Sequence, residues 1–409
     1  MIFDSESVFE DNVITVLKQH GWKDGVLRYP TEQDLLDNWK GILYRNNNDI
    51  DRLGKYPLTD GEMAQIIEQI ETLRTPLALN SFVNGRTVSI TRDNKEDVAH
   101  FGKEISLYIY DRKEIAGGKS TYQIAQQPVY PAKNKMLNSR RGDLVLLING
   151  MPLIHIELKK SGIPVSQATN QIEKYTHEGV FTGLFRLVQI FVAMNPDDAV
   201  YFANPGVDKF NPSYYFHWAD YNNEPICGGQ NPGKDEWKLF IGGTSGTAGL
   251  LSIPMAHQLI GFYTIADSAD GCLKVLRSYQ YIAANAISDV VRKCDWEQRP
   301  TTPGRPGGYV WHTTGSGKTM TSFKSAQLIA DSHDADKVVF LMDRIELGTQ
   351  SLKEYRSFAD SETEVQGTEN TGVLRDKLNS TNVNDTLIVT SIQKMSNVKA
   401  GERGVTQAW

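Results

Sequence analysis

The stretch G-D-L-V-L-L-I-N-G-M-P-L-I-H-I-E-L-K-K, Gly142–Lys160, decides how the first half of the chain folds. Asn149-Gly150 lies between two apolar runs and is a strong hairpin-turn signal, because both residues accept the positive φ that a two-residue loop demands. Such a turn pairs positions whose numbers add to about 299–301, so Asp143 falls opposite residue 156, 157 or 158. Glu157 and Lys159 are two apart and share one strand face, while Ile156 and Leu158 point into the core.

Two neighbouring carboxylates repel unless a cation sits between them, and hard oxygen ligands suit Mg2+. A metal held by Asp143 and Glu157 polarises a phosphodiester and acidifies a bound water. Lys159 then orients that water or balances charge developing on phosphate. The plain alternative is an ordinary hairpin with a surface salt bridge. Lys133, Lys135, Arg140 and Arg141 immediately precede Asp143 and suit contacts to a DNA backbone. Gln171 and Tyr175 stand i,i+4 on the next expected helix and turn one face toward the same strand end. His155 shares the face of Glu157 and is expected to hydrogen-bond rather than to ligate a metal.

Outward from the hairpin, Val8, Phe9, Val13, Ile14, Val16 and Leu17 recur at helical spacing and predict a helix over Ser5 to His20. Helical patterning returns at Asp60 to Glu71. Alternation at Ile105, Leu107 and Ile109 and the run Gln123 to Tyr130 predict strands, and Ser166 to His177 predicts a helix. Further strands are expected at Val188 to Ala193, Val200 to Ala203 and Tyr214 to Trp218. Glycine density between Cys227 and Gly249 suits a domain boundary or a mobile loop, and as a boundary it divides the chain into 1–245 and 246–409. Beyond it, Leu273 to Lys293 reads as one long helix, and Gly308 to Trp311 as a strand leading into H-T-T-G-S-G-K-T. Lys337 to Met342 and Asp385 to Val389 read as buried strands of a parallel sheet.

Gly315, Ser316, Gly317, Lys318 and Thr319 form a phosphate-binding loop. Its glycines allow a tight turn whose N–H groups converge on phosphate, at the electropositive start of a helix. Lys318 is expected on the β/γ-phosphates of ATP, and the Thr319 hydroxyl on Mg2+. The strict pattern has glycine where His312 stands.

Gln280 in R-S-Y-Q, the loop, Asp343-Arg344 after one apolar strand and Ser391-Ile392-Gln393-Lys394 after another resemble the early motifs of superfamily 2 helicases and DNA translocases. The resemblance implies that Gln280 reads adenine, while Arg344 and Lys394 face the nucleic-acid track. That family continues with an acidic D-E-x-x motif and a second lobe, neither of which appears before Trp409, so the sequence looks like an amino-terminal piece.

G-D-x13-E-L-K followed by Q-I-E-K-Y resembles the PD-(D/E)xK nucleases with the Q-x-x-x-Y addition of RecB-like members. The resemblance implies a further acidic residue from the first helix, Glu10, with Glu6 as the alternative. Gly142 stands where that family has proline. Together the halves resemble HsdR, the restriction subunit of type I restriction-modification enzymes. The implied fold is α/β: a RecB-like PD-(D/E)xK nuclease domain followed by a partial RecA-like superfamily 2 translocase lobe. The implied function is cleavage of double-stranded DNA in company with modification and specificity subunits, coupled to ATP-driven translocation. A helicase-nuclease of DNA repair and an inactive DNA-binding or assembly module are the alternatives.

Composition sets outer bounds. With 40% hydrophobic and 22% charged residues, the chain suits globular domains rather than disorder. Cys227, Cys272 and Cys294 are odd in number and lack metal-ligand spacing, so reduced thiols are expected. The net charge of -6 gives no global support for nucleic-acid binding, which then depends on local basic patches. No basic leader and no long apolar run is visible, and a cytoplasmic location is expected.

Overall fold

The computed structural model describes residues 2–115, 117–131, 140–207, 209–293, 307–343, 345–359, 361 and 364–398. The chain divides into two compact units, Met1–Thr264 with Gly271–Ser278, and Ile265–Asp270 with Tyr279–Trp409.

In chain order the first unit contains α1 (Glu6–Gln19), β1 (Val26–Arg28), α2 (Glu32–Asn46), α3 (Asp60–Thr72), α4 (Pro76–Asn84), β2 (Thr87–Thr91), β3 (Glu104–Tyr108), β4 (Tyr122–Gln126), β5 (Leu144–Ile148), β6 (Met151–Leu158), α5 (Val165–His177), β7 (Ile190–Met194), β8 (Ala199–Ala203), α6 (Glu236–Gly242) and α7 (Met255–Gly261). Ser5 caps α1 by accepting the Val8 N–H, and Phe9, Val13, Ile14, Val16 and Leu17 are buried, as their spacing requires. Thr31–Asp34 and Thr59–Glu62 close reciprocal capping boxes at the starts of α2 and α3.

Six strands form a mixed sheet in the order β1-β4-β5-β6-β7-β8. β1 and β4 are parallel, as are β6 and β7; the remaining neighbours are antiparallel. Strands β4 to β7 are buried along their whole length, which explains why β5 and β7 are unbroken apolar runs. Helix α5 covers one face through Ala168 and Ile172, which pack with Phe191, Ala193, Val200 and Phe202. The turn at Asn149-Gly150 has φ of 52° and 84°. A Cβ on Gly150 would stand 2.9 Å from Trp39 of α2, so the turn needs glycine both for its dihedral and for this close packing.

The first unit runs past residue 245, because the following segment packs back into it. Trp22 Nε1 donates to the Leu251 carbonyl at 2.6 Å, and Tyr122 Oη lies 2.8 Å from His257 Nδ1. Two expected elements are absent as such. Tyr214 to Trp218 meets the sheet through one bridge, Tyr201 to Phe216, after a 3-10 turn at Pro212–Tyr214. The start of the long expected helix is a strand, β10 (Cys272–Val275), preceded by β9 (Thr264–Asp267). Leu273 and Val275 are buried at a spacing of two, which is a strand period rather than a helical one.

The second unit contains α8 (Ser278–Lys293), α9 (Lys318–Ser332), β11 (Val338–Met342), α10 (Ile345–Phe358), β12 (Val365–Gly367), α11 (Thr371–Asn379), β13 (Leu387–Ser391) and α12 (Ile392–Ser396). Its sheet is parallel, in the order β11-β13-β12, with Leu374, Leu378 and Ile388 at one core. Among the described residues, Gly308 to Trp311 joins no strand. Tyr309 and Trp311 are 90% and 88% exposed, and a short apolar run without a paired neighbour does not make a strand. No helix among the described residues is long and apolar enough to cross a membrane.

Candidate functional site

The pairing of β5 with β6 shifts by one residue between Leu146 and Leu147. Ile148 faces Met151 and Leu147 faces Pro152, but Leu146 faces Ile154 and Leu144 faces Ile156. Pro152 has no N–H for the ladder, and the next residue is the unpaired one, a β-bulge. Without the bulge Asp143 would sit across from Ile156. With it the pairing extends to Glu157, so both carboxyls emerge on one face at the same sheet end.

Asp143 Oδ2 accepts the Leu158 N–H at 2.6 Å. Glu157 is fully buried, and its Oε1 lies 3.4 Å from the Lys159 ammonium, while Oε2 has no hydrogen-bond partner. Lys159 is anchored by the Leu158 carbonyl at 2.8 Å and reaches Glu6 at 3.6 Å. Buried Glu10, on α1, accepts from Gln126 at 2.6 Å and from Gln127 at 3.2 Å. Burial, and then the Glu157 charge, raise the Asp143 carboxyl well above its usual range. Burial likewise lifts Glu157 to about 7 against the pull of Lys159, and raises Glu10. Glu6, Asp143 and Glu157 thus share the field of one ammonium, and Glu10 adds its charge near Asp143. Among the described residues no three His, Cys, Asp or Glu side chains make a ready-formed metal cage.

Gln171 donates to the Tyr175 hydroxyl at 2.7 Å, and that hydroxyl donates to the Arg141 carbonyl at 2.9 Å. The i,i+4 pair on α5 therefore clamps the backbone two residues before Asp143. Arg140 is taken up by a bidentate pair with Glu178 at 3.0 Å, and the Arg141 guanidinium lies 5.6 Å from the Tyr29 ring centre. Lys133, Lys135 and Arg344 lie outside the described residues. Sequence reasoning missed the anchors of Glu10; two adjacent amides, Gln126-Gln127, at the end of an apolar strand were the available signal.

The phosphate loop turns at Gly315 and Gly317, each with φ of 79°, and Gly317 caps α9, whose first residue is Lys318. Lys318 Nζ and Ser316 Oγ both donate to the Thr313 carbonyl, at 3.1 and 2.8 Å. His312, in the place of a glycine, sets Nδ1 3.1 Å from Ser316 Oγ; burial and the Lys318 charge lower its pKa. Thr319 follows in the first turn of α9. Gln280 lies against the loop, donating to the carbonyls of Ser316 and Gly317 at 3.4 and 3.3 Å. Lys394, at the start of α12, turns its ammonium onto the Thr368 carbonyl.

Residues 279–408 match the family model of the SWI2/SNF2 ATPase, which agrees with a helicase-like second unit. The chain is 32% identical to the endonuclease subunit of a type I restriction enzyme from Staphylococcus saprophyticus, over 97% of this chain and 37% of that one. It is 33% identical to such a subunit from Staphylococcus aureus, over 98% of this chain and 38% of the relative. For the EcoprrI endonuclease subunit of Escherichia coli the identity is 26%, over 76% of this chain and 99% of the relative. The chain thus spans 37–38% of the length of the staphylococcal relatives. Residues 4–210, half of the chain, match the model of the type I restriction enzyme R protein N terminus, and the protein belongs to that family.

Proposed function

We propose that the first unit is a magnesium-dependent nuclease of the RecB-like PD-(D/E)xK fold, and that the second is the first lobe of an ATP-driven DNA translocase. In this reading the chain serves, in the cytoplasm, in the restriction subunit of a type I enzyme, cutting double-stranded DNA together with modification and specificity subunits. The observation that carries it is the bulge-set pairing that brings Asp143 and Glu157 to one face beside Lys159.

The residues fit a divalent cation. Asp143 and Glu157 are two raised carboxyls at one sheet end, a like-charge pair that a bound cation would balance. Asp143 and Glu157 would hold the ion, with Glu10 supporting it. When bound, it would supply Lewis acidity toward the phosphodiester and a more acidic water. The chain's own residues do the rest. Lys159, fixed by the Leu158 carbonyl, presents a positive charge to the phosphate or orients the attacking water. Gln171 and Tyr175 hold the strand that carries Asp143, so the first carboxyl keeps its register. Lys133, Lys135, Arg140 and Arg141 would meet the DNA backbone, Arg140 by exchanging Glu178 for phosphate.

In the second unit Gly315, Ser316, Gly317, Lys318 and Thr319 would cradle the phosphates of ATP and their Mg2+. Lys318 would leave the Thr313 carbonyl to do so. Gln280, already against the loop, would read adenine, and Arg344 and Lys394 would line the DNA path.

The test uses the full-length subunit assembled with its partners, Mg2+, ATP and a plasmid carrying the recognition site. Asp143→Ala is expected to abolish cleavage while ATP turnover continues, and Lys318→Ala to abolish nucleotide binding. Wild-type cleavage by Asp143→Ala would sink the nuclease reading.

A further inference from the structure

His155 lies on β6 two residues before Glu157, on the same face and wholly buried. Its ring is enclosed by Tyr130, Tyr175, Phe181 and Phe191, with centroids 5.4–6.4 Å away. Nδ1 stands 2.9 Å from the Tyr130 hydroxyl, and Nε2 stands 3.4 Å from Glu157 Oε2. Neither His155 Nε2 nor Glu157 Oε2 has a hydrogen-bond partner elsewhere. Two buried polar atoms that face each other at this distance satisfy one another when one carries hydrogen and the other does not.

The ring is wholly buried between two polar atoms, the Tyr130 hydroxyl at one nitrogen and a Glu157 carboxyl oxygen at the other, so where its N–H sits is decided by these two neighbours. The Tyr130 hydroxyl can donate or accept, whereas a carboxylate oxygen only accepts, so Nε2 is the nitrogen suited to donate and Nδ1 then accepts from Tyr130. A separation of 3.4 Å is long for such a bond.

Gly142 supplies a second, independent observation. A Cβ at this position would stand 2.5 Å from Tyr130 Oη and 2.9 Å from His155 Cε1. The Tyr130–His155 pair fills the space that a side chain before Asp143 would occupy. The proline expected there by resemblance is incompatible with this pair, and glycine is what admits it.

We propose that His155 is a positioning residue: Tyr130 fixes it as the Nε2–H tautomer, and that N–H holds Glu157 Oε2, so the carboxylate presents one orientation to a divalent cation. Lys159 holds the other oxygen from the opposite side. The inference rests on the nuclease reading of this site. Partners that orient a metal-binding group typically change metal affinity by about 10–100-fold when removed.

The experiment measures Mg2+ binding to the full-length subunit by calorimetry, and Mg2+-dependent plasmid cleavage by the assembled enzyme. His155→Phe keeps the ring volume and loses the donor; it is expected to weaken Mg2+ binding, and raise the Mg2+ needed for half-maximal cleavage, by about 10–100-fold. His155→Gln places an amide N–H near the position of Nε2 and is expected to recover most of that loss, which a purely structural role would not produce. Tyr130→Phe should shift both readings in the same direction by less. Unchanged Mg2+ affinity in folded His155→Phe, or no recovery in His155→Gln, overturns the proposal. Should His155→Phe fail to fold, Tyr130→Phe with unchanged affinity overturns it equally. Glu157→Ala separates the two levels. Wild-type cleavage by that variant defeats the nuclease reading itself, whereas an inactive Glu157→Ala beside an unaffected His155→Phe defeats only the role of His155.

Discussion

Arg92, Glu62, Asp97 and His100 form one buried charge cluster of the first unit, and Glu10, Asp143, Glu157 and Lys159 form another. In the first, the wholly buried Arg92 guanidinium donates to Glu62 at 2.6 Å, to Asp97 at 3.0 Å and to the Tyr56 carbonyl at 2.6 Å. Glu62 also accepts the N–H groups of Thr59 and Asp93, at 2.9 and 2.8 Å, and His100 completes Asp97. In the second, Glu10, Asp143 and Glu157 outnumber the single Lys159 ammonium three to one, against two to one in the first, and Glu157 Oε2 has as its polar neighbour the His155 ring, at 3.4 Å. The same chain therefore closes one buried network and leaves another open. A closed network ties loops to helices; an open one at a sheet end is poised to take up something with positive charge.

The contrast is tested most severely by Arg92→Ala, which strands Glu62 and Asp97 without their counter-charge. Unfolding by denaturant should show a loss of about 3–5 kcal/mol, the usual cost of breaking a buried pair from one side. A loss within 1 kcal/mol, on the scale of a surface ion pair, would mean that this cluster is not what holds the Tyr56 and Thr59 backbone.

At the open cluster the sign should reverse. Glu157→Gln, in chelator at pH 7, removes a charge that burial opposes, and the shift from 4.5 to about 7 sets an upper figure of about 3 kcal/mol of stabilisation. The sign follows from linkage. A carboxyl raised in the folded state contributes stability fully present below pH 4.5 and lost as pH rises through about 7, so the variant gains on the wild type across that window. Destabilisation by Glu157→Gln would show that the carboxylate is needed for folding rather than for a cation.

Magnesium should act on one cluster only. At a hundredfold excess over its dissociation constant, an ion that binds only the folded state adds about 2.7 kcal/mol. Thermal melts with and without Mg2+ should show that gain in the wild type and in Arg92→Lys, and lose it in Asp143→Ala. An equal gain in Asp143→Ala would place the ion elsewhere.

The difference between the clusters also marks what a sequence exposes. Asn149-Gly150 announced the hairpin, and the two-residue period placed Glu157 and Lys159 on one face. The register stayed open by one residue, because a β-bulge carries no obligatory side chain; Pro152, unable to donate to the ladder, was its mark. Gln171 and Tyr175 were legible through helical spacing, though their bonds run to each other and to the Arg141 backbone rather than to the carboxyls. Helix α1 was readable to within a residue because Ser5 caps it and its apolar stripe is continuous. Arg92 gave no local signal, since Glu62 comes from α3 and the Tyr56 carbonyl from the loop before it. In the second unit Gly308 to Trp311 read as the strand leading into the loop, but strand formation requires a paired neighbour that a short apolar run does not report.

The smallest expected effect is also the one that separates the clusters by sign. Burial by itself would raise the Asp97 carboxyl, yet the hydrogen bonds from Arg92 and His100 outweigh it and hold the group below its usual 3.8. A carboxyl lowered in the folded state contributes stability present above pH 3.8 and lost as pH falls through its folded value. The advantage of wild type over Asp97→Asn should therefore be flat near neutrality and shrink in acid. The disadvantage of wild type against Glu157→Gln should grow between pH 4.5 and about 7. Denaturant midpoints of the three proteins in chelator from about pH 3 to about pH 7 give both slopes in one experiment. Parallel slopes would mean that the two clusters differ in position but not in electrostatic character, and the distinction between a closed structural network and an open, cation-seeking one would fail.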